Sequence, residues 1–174
     1  MSKFMIKDVR LAFPSLFHKA VFEGKETKFE ATLLLDKEKH KDVIAKIKAD
    51  INQLIKTELD GKKLKPGKTC FQDGDDTDYD GYAGCMSFKA ANSKRPPVYD
   101  RDKSPLVEED DKPYAGCYVN AIVDYWVQNN QYGARVNANL LGIQFVRDGD
   151  AFGAGGSVAS DDDFDDISDA DDSW

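Results

Sequence analysis

A chain of 174 residues, 41% hydrophobic and 32% charged, has the length to bury one core, so a single folded domain is expected. Its net charge of −8 has one source: residues 161–174 hold eight Asp and no Lys or Arg, and removing those eight leaves 24 acids against 24 bases, a neutral body with an acidic end that reads as an interaction tail. Three widely spaced cysteines with no C-x-x-C pair and only two histidines argue for reduced thiols and against structural zinc, and no apolar run is long enough for a membrane helix.

In chain order, the first expected strand is FMIKDVRLAF, Phe4 to Phe13. Its apolar phase slips from Phe4 and Ile6 to Val9 and Leu11, as a β-bulge would make it do. KFEATLLLD follows, with Phe29, Ala31, Leu33 and Leu35 in the period-two pattern of a strand with one buried face. Between Glu38 and Leu59 the spacing changes. Val43, Ile44, Ile47, Ile51, Leu54 and Ile55 draw one stripe along a helix, with Asp36 as the expected N-cap and Gly61 as the stop. GKKLKPGK is then a turn-rich link, and FQDGDDTDYDG an acidic loop. DTDYDG copies the opening of a calcium loop, but its twelfth position is Ser87 where a bidentate Glu is needed, and no helix pair flanks it, so it reads as a solvated turn.

GYAGCMSFKAAN, PYAGCYVNAIVDYWVQN and GARVNANLLGIQFVRDG complete the strands, rich in β-branched and aromatic residues. YAGC occurs twice, at Tyr82 and Tyr114, without a sustained repeat. A folded domain over 1–150, a small-residue linker over 151–160 and a disordered acidic tail over 161–174 are expected. About five strands and one helix, without βαβ alternation, predict a mainly β (α+β) fold: a five-stranded OB-fold barrel with one long inserted helix and loop extensions. The N-terminal MSKFMIKDVR lacks the apolar core of a secretory signal, so a soluble intracellular protein is expected.

Two constellations carry chemistry. On the strand from Tyr114, Ala115, Cys117, Val119, Ala121, Val123, Tyr125 and Val127 share an apolar side. Tyr118 and Trp126 fall on the other, where rings either stack on unpaired bases or pack beneath a loop or helix. SFKAANSKRPPVYDR places Lys89, Lys94, Arg95 and Arg101 among Phe88 and Tyr99, against the single acid Asp100. Cations for phosphates beside rings for bases are what a single-strand groove requires. Arg10 and Arg135 are candidates to extend the track. No phosphate loop, nucleophile elbow or ligand cluster is present, so neither catalysis nor a cofactor or metal is expected, and His18 and His40 read as surface residues.

RLAFPSLF, KFEATLLLDKE, FQDGDD, GYAGCMSFKAANSKRPPVYD, YAGCYVNAIVDYW and GIQFVRDGDAFG, in that order and spacing, resemble successive blocks of a phage single-stranded DNA-binding protein family. The resemblance implies an OB-fold, binding of single-stranded DNA in replication or recombination, no catalysis, and action in the cytoplasm of a bacterial host. Bets on individual contacts rest on chemistry: the rings Phe88, Tyr99, Tyr118 and Trp126, and the cations Arg10, Lys89, Lys94, Arg95 and Arg135. The acidic, aromatic-ended tail resembles that of other replication single-strand binders. A flexible chain over 151–174 has an r.m.s. reach of roughly 27 Å against a domain radius of gyration of about 15 Å, so the tail is expected to compete with DNA for the groove. Phe164, Ile167 and Trp174 would recruit replication or recombination proteins. A single-strand annealing protein and an adaptor working through its tail are the alternatives, and self-association stays open.

Overall fold

The computed structural model describes residues 2–65 and 67–152. Strand β1 spans Phe4–Ser15 and carries the expected bulge: its register against the neighbouring strand shifts between Ile6 and Val9, and Asp8 takes a φ of 52°. The backbone N–H of Asp8 donates to Asn120 Oδ1 at 2.9 Å. The extra residue restores phase, so that Ile6, Val9 and Leu11 are all fully buried. A hairpin of β2 (Val21–Phe22) and β3 (Lys25–Glu26) rises from the following loop, and β4 (Phe29–Asp36) returns antiparallel to β1.

Helix α1 covers Lys41–Glu58 and buries Ile44, Ile47 and Ile51. Asp36 does not cap it. The N-cap is His40, which makes no side-chain capping bond, while Asp36 Oδ1 accepts from the backbone N–H groups of Glu38 and Lys39, each at 2.9 Å. The carboxylate thus closes the tight turn out of β4, and the helix starts one turn later. The stop is the expected one: Gly61, at φ 72°, donates its N–H to the Ile55 carbonyl at 2.9 Å.

Short β5 (Phe71–Asp73) leads to β6 (Cys85–Asn92). Short β7 (Val98–Tyr99) precedes the long hairpin of β8 (Tyr118–Asn130) and β9 (Gly133–Arg147). Around the main sheet β6 pairs with β4, β4 with β1, β1 with β8 and β8 with β9, all antiparallel. A parallel contact between Ala91 of β6 and Asn139 of β9 joins the two ends. Counting only the five long strands, the circuit reads first-second-third-fifth-fourth-first: a five-stranded Greek-key ring resembling the OB-fold, with α1 inserted between its second and third strands. Its interior is filled by Ile6, Leu11, Leu33, Leu35, Phe88, Val119, Val123 and Leu140, with Ile47 of the helix beneath.

The alternation in β4 understates its burial. Leu34, on the outward phase, is only 2% exposed because Tyr82 and Phe152 cover it together with Ala12. Phe152 also donates its backbone N–H to the Ala115 carbonyl at 3.0 Å. The packed body therefore reaches Phe152, two residues beyond the expected boundary at 150. The remainder of the expected linker and the tail, 153–174, lie outside the described residues.

Candidate nucleic-acid interface

The outward face of β4 presents Glu30 and Thr32, and that of β6 presents Ser87, Lys89 and Ala91, with Thr32 directly across from Lys89 and Glu30 across from Ala91. The β8–β9 hairpin walls one side, where Trp126 pairs with Asn137 and Gln128 with Arg135. The loop after β5 supplies Thr77, Tyr79 and Tyr82. Together they enclose an open groove of about 760 Å³ running over the second and third long strands of the ring, the surface on which this architecture grips oligomers.

The groove carries rings and cations at separate stations. Trp126 is 38% exposed, with Lys28 Nζ 5.6 Å from its ring centroid. Phe13 and Tyr79 are both exposed and meet edge-to-face at 5.1 Å, and Tyr79 meets Tyr82 at 5.3 Å. Among the described residues neither Lys28 nor Arg135 makes an ion pair, and Lys89 has only a loose one, 3.6 Å from Glu30. A floor of Thr32, Thr69, Ser87 and Gln72 offers small polar groups. Such a surface can neutralise phosphates and stack bases.

Of the candidates read from the sequence, the structure gathers Lys89, Trp126 and Arg135 into this groove. Phe88 is not among them. It is fully buried, edge-on to Phe71 and Tyr125 at 6.2 Å each, because alternate residues of a strand face opposite ways and Lys89 takes the outward place. A stacking role for Phe88 is thereby corrected to a core role.

Arg10 and Tyr118 sit together, but away from the groove lining, and they are occupied. Arg10 Nε donates to the Gly116 carbonyl at 3.0 Å, and its Nη2 to the Asp150 carbonyl at 2.6 Å. Its guanidinium lies 4.2 Å from the Phe152 ring centroid. Tyr118 is covered by Arg147, whose guanidinium is 3.7 Å from the ring centroid and also bonds Asp8 at 3.2 Å. A hydrogen bond from Lys39, joined by Arg147, holds the Asp8 carboxyl below the ordinary carboxylate range. Gly116, at φ 106°, leaves the space through which the Asp150–Ala151 backbone passes. The cluster works as a clasp on the end of the domain.

Lys94, Arg95 and Tyr99 also fall outside the groove lining. Arg95 lies 5.1 Å from the Phe17 ring, and Tyr99, 38% exposed, sits on β7 beside Gln144 of β9. Phe164, Ile167 and Trp174 lie outside the described residues.

Sequence reading missed Phe13, Lys28, Tyr79 and Tyr82. Phe13 has a φ of 46° at the second irregularity of β1, so its position in the alternation carried no signal of its outward exposure. Tyr79 was hidden in an acidic loop. Two of that loop's acids are spent locally: Lys37 Nζ donates to Asp73 at 2.8 Å and Asp75 at 2.7 Å, Asp75 accepts from the Gly84 N–H at 2.8 Å, and both carboxyls are held low by these bonds. Beneath the groove, burial pushes the Cys70 thiol up to about 12, which makes it a packing residue.

Comparison with known proteins gives the chain a family and a matching fold. The protein family described as the Enterobacter phage Enc34 single-stranded DNA-binding protein matches residues 2–174. A putative protein, p50, of Acyrthosiphon pisum secondary endosymbiont phage 1 is 43% identical over 176 residues, covering 95% of this chain and 94% of that protein. The solved single-stranded DNA-binding protein of bacteriophage Enc34 superposes with a TM-score of 0.78 at 30% identity, covering 97% of this chain and 89% of that one. The same phage protein solved in complex with single-stranded DNA gives 0.77 at 29% identity, covering 87% and 89%.

Proposed function

The chain belongs to the family of the Enterobacter phage Enc34 single-stranded DNA-binding protein, and on that footing we propose that it coats single-stranded DNA in the groove over β4 and β6, without catalysis. The observation that carries this reading is the juxtaposition along one open channel of exposed rings and of cations that are unpaired or only loosely paired among the described residues. Trp126 takes a base at one station and the Phe13–Tyr79 pair at another, while Lys28, Lys89 and Arg135 meet phosphates between them. Stacking serves every base alike, so binding is largely indifferent to sequence. Lys94, Arg95 and Tyr99 are contacts for strand that continues beyond the groove.

The protein acts in phage replication or recombination, in the cytoplasm of the host. Its acidic end imitates a run of phosphates and competes with DNA for the cationic channel, and once displaced it offers Phe164, Ile167 and Trp174 to replication or recombination partners. What supports this is the segregation of eight carboxylates without a counter-charge into fourteen residues.

Fluorescence anisotropy of a labelled oligonucleotide at two salt concentrations tests both parts. Affinity for single strands that falls steeply with salt is expected. Deleting residues 161–174 should tighten binding at low salt and change little at high salt, where screening weakens the tail's competition. No binding to single strands at low salt defeats the assignment of the groove. Equal affinities with and without the tail at every salt concentration defeat self-competition alone.

A further inference from the structure

A second concavity, of about 580 Å³, opens between the last turns of α1 and the segment that follows it. Its rim carries Lys48, Lys62 and Lys63, and its floor is apolar, with Ile55, Leu64 and Phe71. Among the described residues no carboxylate lines it, and none of the three lysines forms an ion pair. It shares only Thr69 with the DNA groove. An apolar floor ringed by unpaired ammonium groups has a complement of definite chemistry: an acidic peptide with interspersed bulky apolar side chains.

That complement is present in the same polypeptide. DDDFDDISDADDSW supplies eight carboxylates around Phe164, Ile167 and Trp174, residues that an electrostatic competitor for the DNA groove does not need. The DNA groove offers cations, exposed rings and polar groups, whereas this site offers lysines around an apolar floor. We propose that the concavity between α1 and residues 61–64 is a docking site for the chain's own segment 161–174, which it holds when single-stranded DNA occupies the groove.

Reach permits this. Residues 153–174 span at most about 75 Å when fully extended, several times the roughly 15 Å radius of gyration of the folded body, and they start from Phe152, pinned beside Arg10 and Tyr82. Tethering makes the contact intramolecular, with an effective concentration on the order of millimolar, so modest intrinsic affinity is enough. The consequence is regulatory: the tail that DNA displaces is offered to partners from the lysine site, so a partner gains it by outcompeting that site. The inference rests on the DNA-binding reading only for its trigger, because the charge and apolar match stands without it.

The test uses the full chain with photoreactive benzoylphenylalanine introduced at Ser173, leaving Trp174 intact, and a labelled oligonucleotide whose anisotropy reports groove occupancy in the same sample. An equal mixture of light and heavy-isotope protein separates cross-links within a chain from those between chains. Under saturating oligonucleotide, cross-links within one chain to peptides containing Lys48, Asn52, Lys62 or Lys63 are expected. The triple substitution K48E/K62E/K63E should lower their yield by about fivefold or more, and raised salt should lower it too. Cross-links confined to Lys28, Lys89 or Arg135 peptides, links only between chains, or a yield indifferent to the triple substitution each overturn the proposal. If the substitution weakens oligonucleotide binding tenfold and leaves the cross-links in place, the lysines belong to a phosphate track and the proposal fails. A sample whose anisotropy never rises refutes the DNA reading instead. In that case cross-linking without oligonucleotide still decides the docking.

Discussion

Trp126 and Tyr118 stand on the same outward face of β8, eight residues apart, each with cations within reach of its ring. At Tyr118 the charges are answered. Arg147 pairs with Asp8 while lying on the ring, and Arg10 gives its donors to the Gly116 and Asp150 carbonyls. At Trp126 they are not: Lys28 and Arg135 have no acid partner among the described residues, and the indole faces an open channel. Residue type therefore does not separate a binding site from a structural clasp. The separation lies in whether the donors and the ring face are already used, since a cation committed to internal partners must give them up before it meets a phosphate.

The comparison is sharpened first by the ring that belongs to neither site. Phe88→Ala should destabilise folding by about 3–5 kcal/mol through the cavity left in the barrel, read as a lower denaturant midpoint. A stable variant with weakened DNA binding would return Phe88 to the interface. Next, Trp126→Ala should cost on the order of 1–3 kcal/mol of single-strand affinity with the fold intact, whereas Tyr118→Ala should leave affinity within about twofold under the same conditions and lower the melting temperature instead. Equal losses of affinity from the two would erase the distinction drawn here.

Charge gives a smaller contrast. Arg135→Gln should reduce the slope of log affinity against log salt by about 0.7, one phosphate contact on a single strand, while Arg10→Gln should leave the slope unchanged and loosen the Phe152 end. The smallest effect concerns acid. Asp8, Asp73 and Asp75 have carboxyls held low in the folded state by Lys39 and Lys37. Their contribution to stability is fully present above the ordinary carboxylate range and is lost as pH falls through it, below about pH 4. Thermal melts should therefore be flat near neutrality and decline in acid, and Lys37→Met should make that decline shallower.

Much of this molecule was legible before any coordinates. The bulge in β1 announced itself by a phase slip, α1 by its stripe, the Gly61 stop by residue type, and the two faces of β8 by strict alternation. Trp126, Lys89 and Arg135 could be assigned to an outward face because they stand on regular strands, where period two says which way a side chain points. Phe88 was misjudged through its basic surroundings, although the same period, applied from Lys89, places it inside. Phe13, Tyr79 and Lys28 escaped because each lies where the backbone leaves regular geometry, at a positive φ or in a loop.

The sequence by itself determined the strands, the helix, the core faces and the charge division between body and tail, because each is written in local periodicity and composition. Only the tertiary structure decided that Arg10 and Tyr118 answer one another's neighbourhood while Trp126, Phe13 and Tyr79 border one channel. Closing five strands into a ring brings together residues more than a hundred positions apart, and no local pattern records which charges will find partners there.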